Sequence, residues 1–308
     1  MLALFGPTAA GKSALAHAAA LALGGEIVVA DPFQRYRGLL IAADSPRPAE
    51  RDEVTYHGVL DLELGESSSA AGFARVAHAA IDDILARGRV PIVAGGTGLY
   101  LRAAVADLGF PAASDPTGRA EVEALVAADP AGAADELWTR DPEAAARVDL
   151  ANPRRLARAL ELARAGGAVP PSAPLWSEAC RHPTLLVAVT RPREVLDRLI
   201  AVRVRRELDE GLVAELEAAI DGPRLSREAA QVIGVKEVLA MRAGKLASEA
   251  LEDRLAARTR RLARRQLAWL RKTPGAVEID LGETPAADAL PRLLALWSGA
   301  RGAVASIA

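Results

Sequence analysis

The chain has 308 residues, of which 51% are hydrophobic, 25% charged and 4% aromatic, an apolar share that excludes disorder over most of the length. Its 25 Gly and 19 Pro are scattered without a period, which excludes a collagen-like fibre. The lone cysteine, Cys180, excludes an intrachain disulfide framework and a multi-cysteine zinc site and fits a reducing cytoplasm; the net charge of −2 gives no overall pull toward a polyanion.

At roughly 100–200 residues per domain, this length predicts about two domains. There is no apolar run of 18 or more residues, so no membrane span is expected. Lys12 interrupts the one stretch that resembles a signal peptide, and no basic segment precedes it. Leu2–Phe5 reads as a buried strand, followed by a glycine-rich turn and a helix over Ser13–Leu23. Glu26–Ala30 is a β-branched second strand ending at Asp31, and apolar residues from Phe73 to Leu85 recur at helical spacing up to Arg87-Gly88. Val90–Ala94 is a third strand that runs into Gly95-Gly96-Thr97-Gly98. Alternation of this kind predicts an α/β fold, a P-loop NTPase-like parallel sheet flanked by helices. From 112 to 178 only helical periodicity appears, so an all-helical insertion is expected there, with the core formed by 1–111 and 179–308. Thr184–Thr190 returns to strand; the chain is then helical to about Lys272, with a last strand at Val277–Leu281 and a final helix.

The residues Gly6, Pro7, Thr8, Ala9, Ala10, Gly11, Lys12 and Ser13 match the P-loop pattern, with a strand before and a helix after. Glycines let backbone N–H groups turn inward around phosphate oxygens, and the helix N-terminus adds about half a positive charge. Lys12 can neutralise a terminal phosphate, and the Ser13 hydroxyl can hold Mg²⁺. Asp31 lies at the sheet edge where α/β proteins bind ligands; it is either a loop cap or a carboxylate able to accept a proton from a nucleophile. Gly95-Gly96 and Thr97 share that edge, as turn residues or as a close approach to ligand. No aspartate ends the third strand, so the usual Walker-B magnesium ligand is missing there.

From Arg254 to Lys272 the chain carries eight basic residues and no acidic one, and Arg254, Arg258, Arg261 and Arg265 fall on one helical face. This is either a solvated face or an RNA-facing helix, with Gln266 and Trp269 beside it for hydrogen bonding and stacking. A second arginine-rich stretch runs from Arg147 to Arg164. The four histidines have no metal-ligand spacing and read as structural.

In order along the chain, the P-loop, Asp31–Gly38, Arg87–Tyr100, Asn152–Glu161, Gln231–Glu237 and Thr259–Trp269 resemble the tRNA dimethylallyltransferase (tRNA isopentenyltransferase) family. That resemblance implies transfer of a dimethylallyl group from dimethylallyl diphosphate to N6 of adenosine 37, in tRNAs reading codons that start with U, by a cytoplasmic monomer using Mg²⁺. The P-loop would then hold a diphosphate leaving group in place of ATP. By matched position, Asp31 would be the base for the adenine amine, Thr97 would position amine and donor, and Arg203 would contact the diphosphate. Contacts to tRNA would fall on Asp31, Pro32, Phe33, Gln34, Thr97, Arg119, Pro153, Arg154, Arg155, Leu156 and Ala157. They would continue on Gln231, Lys236, Arg264, Arg265, Gln266, Trp269 and Arg271, with the helical insertion clamping the anticodon stem.

The chain departs from the family pattern at Pro32, at Ile41-Ala42-Ala43-Asp44-Ser45-Pro46, at Tyr56-His57, at Gly234-Val235 and at Ala268. Three other readings are distinguishable. A small-molecule P-loop kinase would turn over ATP and leave the basic helix without a role. A prenyltransferase of free adenine nucleotides would not need the insertion. A homologue that has lost catalysis would bind RNA without forming product.

Overall fold

A computed structural model describes residues 1–111, 116–167, 169, 175, 177–222 and 224–305. Two compact units divide the chain, one formed by Met1–Asp107 with Leu175–Ala308 and the other by Leu108–Pro174. The second unit thus begins and ends slightly before the expected 112 and 178, and position 112 itself lies outside the described residues.

The first unit opens with β1 (Leu2–Phe5), α1 (Lys12–Leu23), β2 (Gly25–Val29), α2 (Pro48–Glu53), β3 (Tyr56–His57), α3 (Ala70–Ala86), β4 (Val90–Gly95) and α4 (Gly98–Val105). The second holds the helices α5 (Pro116–Ala128), α6 (Pro130–Arg140), α7 (Pro142–Arg147) and α8 (Pro153–Arg164). The chain then returns to the first unit as β5 (Leu185–Thr190), α9 (Arg193–Asp209), α10 (Leu212–Asp221), α11 (Val235–Arg242), α12 (Leu251–Leu270), β6 (Val277–Asp280) and α13 (Leu290–Ala305).

The six strands form one sheet in the order β3-β2-β4-β1-β5-β6, with every pair parallel. β1 lies inside it and reads Leu-Ala-Leu-Phe without a polar residue, as a strand covered on both faces must. Registers Phe5↔Gly95 and Val29↔Ala94 bring β1, β2 and β4 to the same level at their carboxyl ends. The residues that follow, Gly6, Asp31 and Gly96, therefore emerge side by side. β3 is only two residues long and has no periodicity to betray it; the last strand stops at Asp280, one residue before the expected end.

Local chemistry sets the helix ends. Gly24, at φ 60°, takes the left-handed position that stops α1, and the Ser69 side chain accepts from the Gly72 N–H to start α3. In the second unit the same device is used three times: Asp129, Asp141 and Asn152 each cap a helix through the side chain, and each is followed by proline at the first helical position. Val122, Val126, Leu137, Leu156 and Leu160 are buried in a core belonging to this unit.

At the amino-terminal edge of the sheet the buried Glu26 carboxylate is held by Arg87, by Arg89 at 2.6 Å and by His57 at 2.7 Å. The hydrogen bond from Arg87 chiefly keeps its pKa down at about 2. His17 bonds Tyr56 and Glu53, and His182 bonds Asp82. Among the described residues no helix is long and apolar enough to cross a membrane.

Candidate functional site

The loop from β1 to α1 wraps tightly because its sequence allows it. A Cβ on Gly6 would stand 2.0 Å from the Val189 carbonyl oxygen, Gly11 adopts φ 97°, and even Ala9 is left-handed at φ 63°. The Lys12 ammonium folds back to donate to the Pro7 carbonyl at 2.6 Å. Burial lowers its pKa to about 8, while Asp31 pulls the other way. Ser13, with its side chain exposed, is on the first turn of α1. From outside the loop, Arg191 donates to the Ala10 carbonyl at 3.0 Å and to Gly282 and Thr284, fixing the loop from behind. Sequence reasoning missed Arg191; its place directly after a strand was the one available signal.

Beside the loop is a cavity of about 570 Å³ whose wall includes Lys12, Ser13, Asp31, Gly96 and Arg203. Asp31 Oδ1 accepts the Phe33 N–H at 2.9 Å, and the Gln34 N–H is a second backbone donor to the same carboxylate. Burial raises its pKa above the ordinary carboxylate value, against the pull of the Phe33 N–H, Lys12, the Gln34 N–H and Arg203. Thr97 precedes α4 at the same edge, and its hydroxyl has no partner among the described residues. Arg203 reaches in from α9, donating from one nitrogen to Thr8 Oγ1 at 2.8 Å and from Nε to Glu207 at 2.6 Å. The structure thus brings the P-loop, Asp31 and Arg203 to one cavity, with Thr97 on the same sheet edge.

The lowered Lys12 pKa predicts a pH dependence of phosphate binding. Below about 8 the ammonium is charged before any phosphate arrives; above it, binding a phosphate must take up a proton. Affinity for inorganic pyrophosphate is therefore expected to fall as pH rises through about 8. Lys12→Arg, charged throughout, should lose the proton uptake in calorimetry across buffers of different ionisation heat.

Helix α12 sorts its basic stretch by helix phase. Arg258 pairs with Glu237 at 2.6 Å and Arg260 with Asp197 at 3.6 Å. Arg254, Arg261, Arg264, Arg265 and, just past the helix, Arg271 are exposed, with no carboxylate partner among the described residues. Gln266 is buried along the cavity wall, and its Oε1 accepts the Thr8 N–H at 2.8 Å. A Cβ on Gly96 would overlap its amide, and one on Gly98 would overlap the Trp269 ring. Gln266 and Trp269 therefore anchor α12 to the loops around the cavity. Lys236 is exposed and donates to Gln231.

In the second unit Arg119, Pro153, Arg154 and Arg155 are exposed. Leu156 and Ala157 face inward into the unit's core, so their expected contacts to tRNA are not available from their side chains. Pro32, Phe33 and Gln34 are half-buried after Asp31.

Comparison with known proteins places this arrangement. The model of the family described as "IPP transferase" matches residues 34–273, and that described as "Isopentenyl transferase" matches residues 1–59. The chain is 42% identical over 294 residues to a tRNA dimethylallyltransferase of Salinispora arenicola, covering 94% of this chain and 85% of the relative. It is similar to the crystal structure of a full-length tRNA isopentenylpyrophosphate transferase from Bacillus halodurans, with a TM-score of 0.74, 30% identity, and 99% and 98% of the two chains covered. A eukaryotic dimethylallyltransferase caught acting on tRNA matches with a TM-score of 0.79 and 25% identity, over 96% of this chain and 77% of that one.

Proposed function

The chain belongs to the IPP transferase family, and from that premise we propose how its own residues carry out the reaction of a tRNA dimethylallyltransferase. It transfers a dimethylallyl group from dimethylallyl diphosphate to N6 of adenosine 37, in tRNAs that read codons beginning with U. The carbon–oxygen bond of the donor breaks as the nitrogen–carbon bond forms. The bonding pair leaves with the diphosphate, and the amine proton must go to a base.

One observation carries this reading: Asp31, its carboxyl raised by burial, shares a cavity wall with a P-loop and its lysine. A carboxylate held above its usual range is a better proton acceptor, and Asp31 lines the cavity that the amine enters. Lys12 and Arg203 stand where negative charge grows on the departing diphosphate, which is stabilisation of the kind that lowers a barrier most. Thr97, with its hydroxyl uncommitted, orients the amine.

For Mg²⁺ the fit rests on the Ser13 hydroxyl and the acceptor oxygens of the donor itself. Among the described residues no group of three His, Cys, Asp or Glu is arranged to hold a metal, and Mg²⁺ on phosphates commonly needs few protein ligands. Such an ion supplies charge neutralisation of the leaving group.

The adenine must leave its stack to reach the cavity, at a cost of a few kcal/mol that contacts to the flanking nucleotides offset. The exposed arginines of α12 that have no carboxylate partner among the described residues are suited to hold phosphates there, and Arg154 and Arg155 in the second unit are suited to the anticodon stem.

The test combines purified protein, Mg²⁺, labelled dimethylallyl diphosphate and unmodified tRNA with adenosines at positions 36 to 38. Label is expected at position 37 alone. Binding without label would mean that catalysis is lost. Replacing Arg261 and Arg265 by glutamine should weaken tRNA binding and flatten its salt dependence by about two counterions. An unchanged slope would return α12 to a merely solvated face.

A further inference from the structure

Asp44 stands over the P-loop, and the reaction described above gives it no role. It adopts φ 50°, a left-handed conformation that only asparagine, aspartate and glycine take readily. The loop that carries it is fixed: the Ile41 and Ala42 N–H groups donate to the Glu215 carboxylate at 2.9 and 2.8 Å, and the Asp44 N–H donates to the Ile41 carbonyl at 3.0 Å. Its side chain is thereby presented to the cavity. Oδ2 lies 3.0 Å from Arg203, on the same guanidinium nitrogen that reaches Thr8, and Oδ1 lies 2.8 Å from Arg206.

The arginine assigned to the diphosphate is therefore already occupied by an anion of the chain's own. Glu207 holds its Nε at 2.6 Å, so Arg203 faces two carboxylates before any donor arrives. A role for Asp44 as a metal ligand runs against the same geometry, because both of its oxygens are on guanidinium groups and their positive charge repels a cation at that spot.

We propose that Asp44 is a built-in competitor for the diphosphate and so a determinant of donor affinity. Donor binding is then an exchange of anions on Arg203: the diphosphate displaces Oδ2, while Oδ1 keeps Arg206. After transfer the carboxylate retakes Arg203 and helps to expel the product, a step that otherwise holds a strongly charged leaving group in a site built to bind it. The inference rests on the diphosphate reading of the cavity given above.

The experiment measures inorganic pyrophosphate affinity by calorimetry at fixed salt, with and without Mg²⁺, for the wild type and three variants. Asp44→Asn removes the charge and suits the left-handed backbone; it should bind roughly tenfold more tightly, the loss of one half-buried competing ion pair. Asp44→Gly, which suits that backbone equally well, should also tighten binding and guards against an artefact of the amide. Asp44→Glu, which keeps a carboxylate within reach, should stay close to wild type. Unchanged or weaker binding by both the asparagine and glycine variants would overturn the proposal, and so would a loss of Mg²⁺ dependence confined to them. A wild type that does not bind pyrophosphate at all would instead overturn the diphosphate reading, and this inference with it.

Discussion

Replacing Asp31 by asparagine should lower the rate of dimethylallyl transfer by about three orders of magnitude, near the middle of the range for loss of a positioned general base. The substitution is nearly isosteric, so the Phe33 N–H keeps an acceptor and the end of β2 stays in register, with the Ala30 N–H on the Ala94 carbonyl at 2.8 Å. What disappears is the proton acceptor. Donor affinity at neutral pH should not fall, because the lost charge repels the diphosphate. A second effect separates this account from misfolding: Asp31 supports the charge on Lys12, so the pH midpoint for pyrophosphate binding should move below about 8 in the variant. Single-turnover transfer and a pyrophosphate titration over pH measure both. Wild-type turnover would remove Asp31 from its role.

Gly6→Ala should abolish diphosphate binding and lower stability by about 1–3 kcal/mol, the usual cost of forcing atoms into a packed interior. The added Cβ would lie 2.0 Å from the Val189 carbonyl oxygen and 3.1 Å from its carbon, both backbone atoms of β5. No rotamer change relieves such a contact. Either β1 and β5 part beyond the pairing of Phe5 with Ala188, or the loop lifts away from its phosphate-binding shape. Thermal unfolding with and without pyrophosphate gives the answer, since a ligand bound by the folded state raises the midpoint. A full pyrophosphate-induced rise in the variant would show that the loop tolerates the methyl group.

Much of the core was legible because strands buried on both faces are short, apolar and bounded by turns. β1, β2, β4 and β5 were each placed to within a residue at either end, and the P-loop was recognisable from its glycines, lysine and serine together. β3 was not, since two residues carry no pattern. The three helices that start at Asp-Pro, Asp-Pro and Asn-Pro were within reach of sequence reasoning, because cap and proline stand together in each.

The site was legible by position along the chain and not by direction of side chain. Gln266 sits inside an arginine-rich run, yet its helix phase turns it inward to the P-loop. Leu156 sits between exposed arginines and a buried alanine, and its phase sends it to the core. Asp44 was visible only as a departure from a pattern; its meaning depends on two arginines more than 150 residues away that the fold brings to it.

The strand order has a consequence for how the protein is made. β1 emerges first and pairs with β4, but its other neighbour is β5, which begins only at Leu185, beyond the whole helical unit. At roughly 5–20 residues per second, a ribosome leaves that edge of β1 bare for on the order of ten seconds. For that interval the nascent chain displays an apolar strand with unsatisfied backbone groups, the template on which chains stick to one another. Premature termination or ribosome stalling within the helical unit would make that exposure permanent, so fragments ending there should precipitate unless a chaperone shields the strand.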